Sequence, residues 1–414
     1  MISDYRLLIV VMLFMILLST FLHMPSPFGN PSMYSDINSI YTDLFIGKKK
    51  IEEGGRWYVE PRDFAIPYIH YKFEYPPIIG FTWLITTSIS NVLSENDDEK
   101  VLCNYLFQSL IILYAALLLV TDVYGIAQKL KLRWQAIYLI AMPSLVLFAT
   151  YNWDLIAIAF AIRSLFYLLI KKDSFRGGIF AGLALASKII PGVIILPIVL
   201  ELYFTRRFKD GTKFMSGALI GGLIPYMLIL MAAPRGFHDF ISHHASWYLE
   251  NSWYVMFTDN IWSEGLRSLS QALVALSIFV FSFLPIKGIY ENRILVKSWL
   301  VTAGFILFNY VYTPQMNLIL LPYLALLAPS EPLMIYSFDF LNGLIILLWF
   351  SLSYWCSLLG ISCEGGPWVR TSPTQWIAFI RCLLLGLILY QTLRIWVSRK
   401  AILKRGRFEE VELA

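Results

Sequence analysis

The residue best suited to acid–base chemistry in this sequence is Asp36, within the segment Tyr34-Ser35-Asp36-Ile37-Asn38. Apolar and aromatic side chains recur at helical spacing from residue 34 to residue 45, which predicts a short amphipathic helix. A carboxylate at its start can take a proton from a hydroxyl group. Ser35 or Asp36 can equally cap the helix, the ordinary use of these residue types at a helix start. The residue types alone leave both interpretations open.

An aromatic and proline-rich segment, residues 71–77 (YKFEYPP), precedes the next apolar run. The proline pair fixes the direction in which the chain enters that run, because the rings restrict the backbone. The flanking aromatic rings offer faces on which a sugar can stack. We therefore predict Tyr75 as a substrate contact.

Two charged residues accompany apolar stretches. Lys188 lies inside one, and a charge at membrane depth costs about 2.5–3.5 kcal/mol on insertion scales, which makes it a functional candidate. It can hold an anionic group, or its long side chain can reach the interface without any further role. Asp154 follows Asn152-Trp153 between two apolar runs, where it can cap a helix or contact a substrate.

A second polar stretch, residues 238–254 (HDFISHHASWYLENSWY), is rich in histidine and aromatic residues. Asp239 and His243 are spaced to share a helix face, but the four-ligand spacing of known zinc sites is missing. We predict no metal and no other cofactor. The aromatic density is typical both of a belt at a membrane interface and of a sugar-binding wall.

The elements that position these residues are membrane helices. Of the 414 residues, 58% are hydrophobic and only 15% charged, whereas soluble domains carry roughly 25% charged residues. Long uncharged runs recur along the whole chain and lack the alternation of barrel strands. We predict an all-α, polytopic transmembrane bundle of about ten to thirteen segments. The net charge of +5 includes no basic patch suited to nucleic acid.

The chain is predicted to be one integral membrane domain, residues 1–414, in a cell membrane or endomembrane. Two connections are long enough to carry chemistry: residues 25–75, a first extracytoplasmic loop with the amphipathic helix, and residues 234–266. The basic tail, residues 398–414, is expected in the cytoplasm.

The segment around Lys188 does not fit simple alternating spans, because basic pairs flank its apolar stretch at both ends. It is predicted either as a hairpin of two half-helices broken at Pro191-Gly192 or as one long span. Cys356 and Cys363 are close enough in sequence to pair, but buried free thiols are expected.

The order of several short motifs resembles the GT-C superfamily of membrane glycosyltransferases, in particular polyprenyl-phosphate-mannose-dependent mannosyltransferases and the catalytic mannosyltransferase of glycosylphosphatidylinositol assembly. The similarity covers most of residues 30–325. The motifs are Tyr34-Ser-Asp36-Ile-x-x-Ile-Tyr41, Phe73-Glu-Tyr75-Pro76-Pro77, Asn152-Trp-Asp154, Ser187-Lys188-Ile-Ile-Pro191 and Tyr310-Val-Tyr-Thr-Pro314-Gln315.

The resemblance implies an inverting transfer of a sugar, with mannose expected, from a polyprenyl-phosphate donor to a glycan or glycolipid acceptor at the outer or luminal membrane face. Asp36 takes the role of general base. Lys188, Tyr75, Asp154 and Gln315 are then substrate-binding candidates. The family also places a Trp and an Asn/Gln-Ser segment of the second loop at the active site, which adds His244, Trp247 and Asn251. Many members have paired acids in the first loop, whereas Asn38 follows Asp36 here, which agrees with the prediction of no metal.

Two other classes remain as alternatives. A secondary transporter would use Lys188, Arg163 and the interrupted segment at Pro191 as a site at the membrane midplane, but we find no internal repeat of the kind such proteins contain. A non-catalytic subunit of a membrane assembly would need no acid at Asp36.

Overall fold

A computed structural model describes residues 2–25, 33–46, 56–327, 331–360 and 365–397. Within these ranges all regular secondary structure is helical, apart from isolated β-bridges. The basic tail 398–414 lies outside the described residues, so its expected place in the cytoplasm stays a prediction.

The helices follow one another with short turns between most of them. They are α1 (Ile2–His23), α2 (Asp36–Tyr41), α3 (Pro77–Leu93), α4 (Asp97–Lys129), α5 (Ile137–Ile140), α6 (Pro143–Phe148), α7 (Asp154–Phe166), α8 (Ser174–Ser187), α9 (Ile189–Gly192), α10 (Ile195–Phe204), α11 (Phe208–Ala218), α12 (Ile224–Ala232), α13 (Pro234–Ser246), α14 (Glu264–Phe283), α15 (Tyr290–Phe308), α16 (Asn317–Leu327), α17 (Pro332–Leu359) and α18 (Pro373–Trp396).

The protein is a multi-pass integral membrane protein with an all-α fold, which confirms the predicted fold class. Six helical stretches in the described residues are long and apolar enough to cross a bilayer: Asp4–His23, Asp97–Lys129, Phe208–Ala232, Glu264–Phe283, Pro332–Leu358 and Pro373–Trp396. Other apolar runs of the sequence fold as pairs of shorter helices; the run at 134–150 forms α5 and α6. The count of ten to thirteen segments therefore stays a prediction.

The chain divides into two compact units that alternate along the sequence, and the single integral membrane domain stays a prediction. Because their boundaries are interleaved, neither unit is visible as a separate block of sequence. As far as the ranges are described, the first unit comprises Met1–Gly192, Lys213–Tyr248 and Pro314–Leu326; the second comprises Val193–Thr212, Leu249–Thr313 and Leu327–Ala414.

The first unit is built around α4, α7 and α8. α8 packs closely on the chain at 214–222, because glycine at Gly178 and Gly182 brings the backbones together: a Cβ at Gly182 would lie 2.4 Å from the carbonyl oxygen of Ala218. α4 and α7 are joined by an ion pair between Asp122 and Arg163, with 3.3 Å between Oδ2 and Nη1.

The first unit also contains α2, the predicted amphipathic helix. It starts at Asp36 and continues as one π-helical turn to Ile46. Its apolar side chains Ile37, Ile40 and Tyr41 are buried within the protein, so this face packs on protein rather than on lipid. The Tyr41 hydroxyl hydrogen-bonds Ser90 in α3 at 3.3 Å.

The second unit is built around α14, α15, α17 and α18. Glu201 of α10 is buried and accepts hydrogen bonds from Arg293 (2.6 Å) and Lys297 (2.7 Å) of α15. Cys356 in α17 is disulfide-bonded, so the expectation of a free thiol was wrong for this residue. Cys363 lies outside the described residues.

Candidate active site

The start of α2 fixes Asp36 by its main chain. The amide of Asp36 donates to the carbonyl oxygen of Tyr151 at 2.9 Å. The hydroxyl of Ser35 donates to the carbonyl oxygens of Tyr151 (3.1 Å) and Thr150 (3.3 Å), and it makes no capping bond to α2. Asp36 is itself the first helical residue. The capping interpretation of Ser35 and Asp36 is therefore wrong. The Ser35 hydroxyl bonds carbonyl oxygens more than 100 residues away, and the Asp36 carboxylate accepts a hydrogen bond from Tyr75 rather than from an amide of α2.

The carboxylate of Asp36 is half-buried and held by phenols. The Tyr75 hydroxyl donates to its Oδ2 at 2.7 Å, and Tyr34 supplies a second hydrogen bond. Burial raises the pKa of Asp36 to about 6, the Tyr75 bond opposes that rise, and the negative charge of Glu74 adds to it. A carboxylate with a pKa near neutrality is a better base than a solvated one and is still ionised at pH 7.

Tyr75, at the end of the first loop, contacts the residue that precedes α7. Its ring meets the ring of Trp153 edge to face, with 4.5 Å between centroids and 70° between planes. Pro77 then begins α3, as the proline pair predicts. Tyr75, predicted as a substrate contact, thus hydrogen-bonds Asp36.

Asp154 and Lys188 form an ion pair next to this group. Asp154 is the first residue of α7 and is buried, and the turn before it is closed by Asn152, whose Oδ1 accepts from the Asp154 amide at 3.0 Å. The Asp154 side chain pairs with the Lys188 ammonium instead of capping α7. Its Oδ2 has no hydrogen-bond partner among the described residues. The negative charge of Asp154 also contributes to the raised pKa of Asp36.

The helical backbone is interrupted at Lys188, which is extended with φ −162° and ψ 137°. Pro191 and Gly192 belong to the short helix α9, and a second interruption follows at Val193 and Ile194. The segment is therefore neither one long span nor broken at Pro191-Gly192 as predicted. The break comes earlier, at the residue whose ammonium group pairs with Asp154.

The second long connection contributes helix α13, which ends next to the first loop. Nε2 of His243 lies 3.6 Å from Oε2 of Glu74, and the His243 ring is 4.8 Å from that of Trp247. His244 is exposed, with Nδ1 3.1 Å from the carbonyl oxygen of Phe240. Burial and the cations Lys72 and Arg56 lower the pKa of His243 to about 4.

Glu74 and His243 are not among the site residues predicted from the sequence. Glu74 is half-buried, lies 3.8 Å from the Arg56 guanidinium as well as near His243, and its charge acts on Asp36. The one sequence feature that could have indicated Glu74 is its position directly before Tyr75, which was itself a candidate. His243 was considered only as a metal ligand.

Two further residues are predicted as substrate contacts. Asn251 belongs to the second unit, has a left-handed backbone with φ 50°, and accepts a hydrogen bond from Gln375 at 3.1 Å. Gln315 is in the first unit, in the single turn Pro314–Met316 before α16, and its Oε1 has no hydrogen-bond partner among the described residues. Their substrate-binding roles stay predictions.

No group of three histidine, cysteine, aspartate or glutamate side chains suited to a metal ion occurs in the described part of the chain. The absence of a metal and of any cofactor stays a prediction.

No family model matches the sequence, and no curated protein matches it. Among solved structures, the chain is similar to the crystal structure of ArnT from Cupriavidus metallidurans bound to undecaprenyl phosphate. The match covers 95% of this chain and 77% of that chain, with 11% sequence identity and a TM-score of 0.47.

Proposed function

We propose that this protein is a membrane glycosyltransferase of the GT-C type, which moves a sugar from a polyprenyl-phosphate donor to a hydroxyl group of a glycan or lipid acceptor. The observation that carries the proposal is the half-buried Asp36 carboxylate, held by tyrosine hydroxyls and with its pKa raised to about 6. It supports the role of general base that the sequence motifs imply.

The reaction needs one carboxylate. Asp36 takes the proton of the acceptor hydroxyl while that oxygen forms a bond to the anomeric carbon, and the bond from this carbon to the phosphate oxygen breaks on the opposite face. The leaving phosphate keeps the electron pair of that bond and departs as an anion, so it requires a cation rather than an acid. The configuration at the anomeric carbon is inverted. Asp36 then releases its proton to water.

Lys188 is the cation that we assign to the leaving phosphate. Its ammonium is held by Asp154, which keeps it beside the group around Asp36, and 19% of its side chain is exposed. The buried Asp154 carboxylate compensates the charge of the ammonium, because a buried charge without a partner is strongly destabilised.

Aromatic rings supply the sugar-binding wall of the proposal. The half-buried rings of Trp247, directly after α13, and Tyr248 lie 5.1 Å apart. His244, Asn251 and Gln315 are further substrate contacts in the proposal. Mannose is the sugar, and the outer or luminal membrane face the location, that the sequence resemblance favours.

The experiment compares wild type, Asp36→Asn and Asp63→Asn in purified membranes given radiolabelled polyprenyl-phosphate mannose, with other polyprenyl-phosphate sugars in parallel. Asp63 is a matched control, because it is a first-loop carboxylate that pairs with Lys100 at 3.7 Å and is 72% exposed. We expect wild type and Asp63→Asn to transfer label to lipid or glycan, and Asp36→Asn to lose at least about a hundredfold.

Two outcomes contradict the proposal in different ways. Full transfer by Asp36→Asn would remove Asp36 from the mechanism. Failure of wild type to transfer any lipid-linked sugar would favour the transporter or the non-catalytic subunit over an enzyme.

A further inference from the structure

Tyr75 is fixed at its ring. Its hydroxyl donates to Oδ2 of Asp36 at 2.7 Å, and the edge-to-face contact with Trp153 orients the ring. Trp153 is only 2% exposed, and its indole nitrogen donates to Gln108 at 2.8 Å. The surface against which Tyr75 packs is therefore itself held by a hydrogen bond in the core.

Tyr75 is also fixed at its backbone, because its carbonyl oxygen accepts a hydrogen bond from the hydroxyl of Tyr68. Tyr68 has a left-handed backbone with φ 67°, which an aromatic residue adopts only when its surroundings impose it.

Two glycines impose the position of Tyr68. A Cβ at Gly80 in α3 would lie 2.5 Å from the Tyr68 hydroxyl oxygen, and one at Gly236 in α13 would lie 2.1 Å from its carbonyl oxygen. Glycine at both places allows this close approach, so Tyr68 is clamped between α3 and α13. Helix α13 is therefore linked to Asp36 through Tyr68 and Tyr75.

We infer that Tyr75 is a positioning residue, whose hydroxyl aims the Asp36 carboxylate, and that Tyr68 acts through Tyr75 by fixing its backbone. The expected kinetic effects rest on the proposed function, whereas the contacts of Tyr75 with Asp36 and Tyr68 do not depend on it. It replaces the sequence-based role of Tyr75 as a sugar contact.

The groups around Asp36 determine the sign of the effect. The phenols of Tyr75 and Tyr34 donate to it, while the carboxylates of Glu74 and Asp154 raise its pKa. Lys188 neutralises part of the Asp154 charge, and His243 and Arg56 lie beside Glu74. Loss of the Tyr75 hydroxyl therefore removes a donor that stabilises the anion, and the pKa of Asp36 rises.

The test compares Tyr75→Phe, Tyr68→Phe and the control Tyr41→Phe. Tyr41 is a matched control because it is a buried tyrosine of the same helix as Asp36, with its hydroxyl bonded to Ser90 and Asn91. For Tyr75→Phe we expect the acid limb of the pH–rate profile to move up by about one to two pH units, from the usual strength of a hydrogen bond to a charged group. We expect kcat to fall about tenfold or more and KM for the donor to stay within about twofold.

For Tyr68→Phe we expect a smaller shift in the same direction, and for Tyr41→Phe none. This second variant leaves the Tyr75 side chain intact, so the inference stays testable if Tyr75→Phe does not fold. An infrared titration of the Asp36 carboxyl band, identified by its loss in Asp36→Asn, follows the same pKa without any turnover.

The outcomes separate the two proposals. If the Asp36 band titrates at the wild-type pH in both Tyr75→Phe and Tyr68→Phe, the positioning role is overturned while the glycosyltransferase can stand. A rise in donor KM with an unmoved acid limb also overturns it, in favour of a direct substrate contact. If wild type transfers no sugar but the band shifts in Tyr75→Phe, the proposed function fails and the positioning contact is supported.

Discussion

The ammonium group of Lys188 pairs with the carboxylate of Asp154, where the break after α8 meets the first residue of α7. Asp154 is 2% exposed and Lys188 19%, so each charge depends on the other for much of its stabilisation. The ion pair therefore explains why a lysine occurs inside this apolar stretch: its charge compensates that of the buried Asp154 carboxylate.

We expect Lys188→Met to lower stability by about 3–5 kcal/mol, because it leaves the Asp154 charge buried and unpaired. The double variant Lys188→Met with Asp154→Asn should recover a large part of that loss. Thermal unfolding in detergent measures both. A double variant no more stable than Lys188→Met would argue against the pair as the cause.

The rate of sugar transfer should fall as the pH is lowered through about 6, because protonated Asp36 cannot accept the acceptor proton. The pH dependence of kcat/KM reports this ionisation in the free enzyme. Tyr34→Phe removes the second hydrogen bond to Asp36 and should move the acid limb of the pH–rate profile to higher pH. A rate that stays constant down to pH 5 would be incompatible with Asp36 as the base.

The close contact at Gly182 should tolerate no side chain. In Gly182→Ala the new Cβ would lie 2.4 Å from Ala218 O and 2.5 Å from Gly222 N, and we expect a loss of about 1–3 kcal/mol from overpacking. Gly265→Ala is the matched control, since nothing lies within 4 Å of a Cβ there; its stability should stay within about 0.5 kcal/mol or rise slightly. Equal melting temperatures for the two variants would contradict this packing.

His243 should make the fold less stable in acid. Its pKa is lowered from 6.5 to about 4, so between these values the unfolded chain binds more protons and stability falls as the pH falls. The raised pKa of Asp36 acts with the opposite sign between about 4 and 6, because there the folded state binds more protons. The contribution of His243 is therefore obtained as the difference between wild type and His243→Gln.

We expect the stability difference between these two proteins to change in favour of His243→Gln as the pH drops from about 6.5 towards 4. Unfolding followed at several pH values measures it. Parallel pH profiles of the two proteins would show that the histidine is not destabilised by protonation.

Part of the candidate site was accessible from sequence. Asp36, Tyr75 and Asp154 lie at the edges of apolar runs and Lys188 lies inside one, which made them candidates. The family resemblance then supplied the role of Asp36 as general base. The capping interpretations of Asp36 and Asp154 failed, because sequence position at a helix start does not tell whether a carboxylate bonds its own helix or a distant partner. Glu74 and His243 were missed because the contact between them joins segments that are far apart in the sequence.

The sequence by itself determined the all-helical, membrane-spanning class, because hydropathy is a local property and a backbone in lipid must satisfy its own hydrogen bonds. It did not determine where the apolar stretch around Lys188 breaks. Only the tertiary structure decided that Tyr75 donates to a carboxylate 39 residues away and that Lys188 reaches one 34 residues away. Such contacts depend on how helices pack. The close approaches of Tyr68 at Gly80 and Gly236 occur at isolated glycines, and the four-residue spacing of Gly178 and Gly182 does not tell which segment packs there.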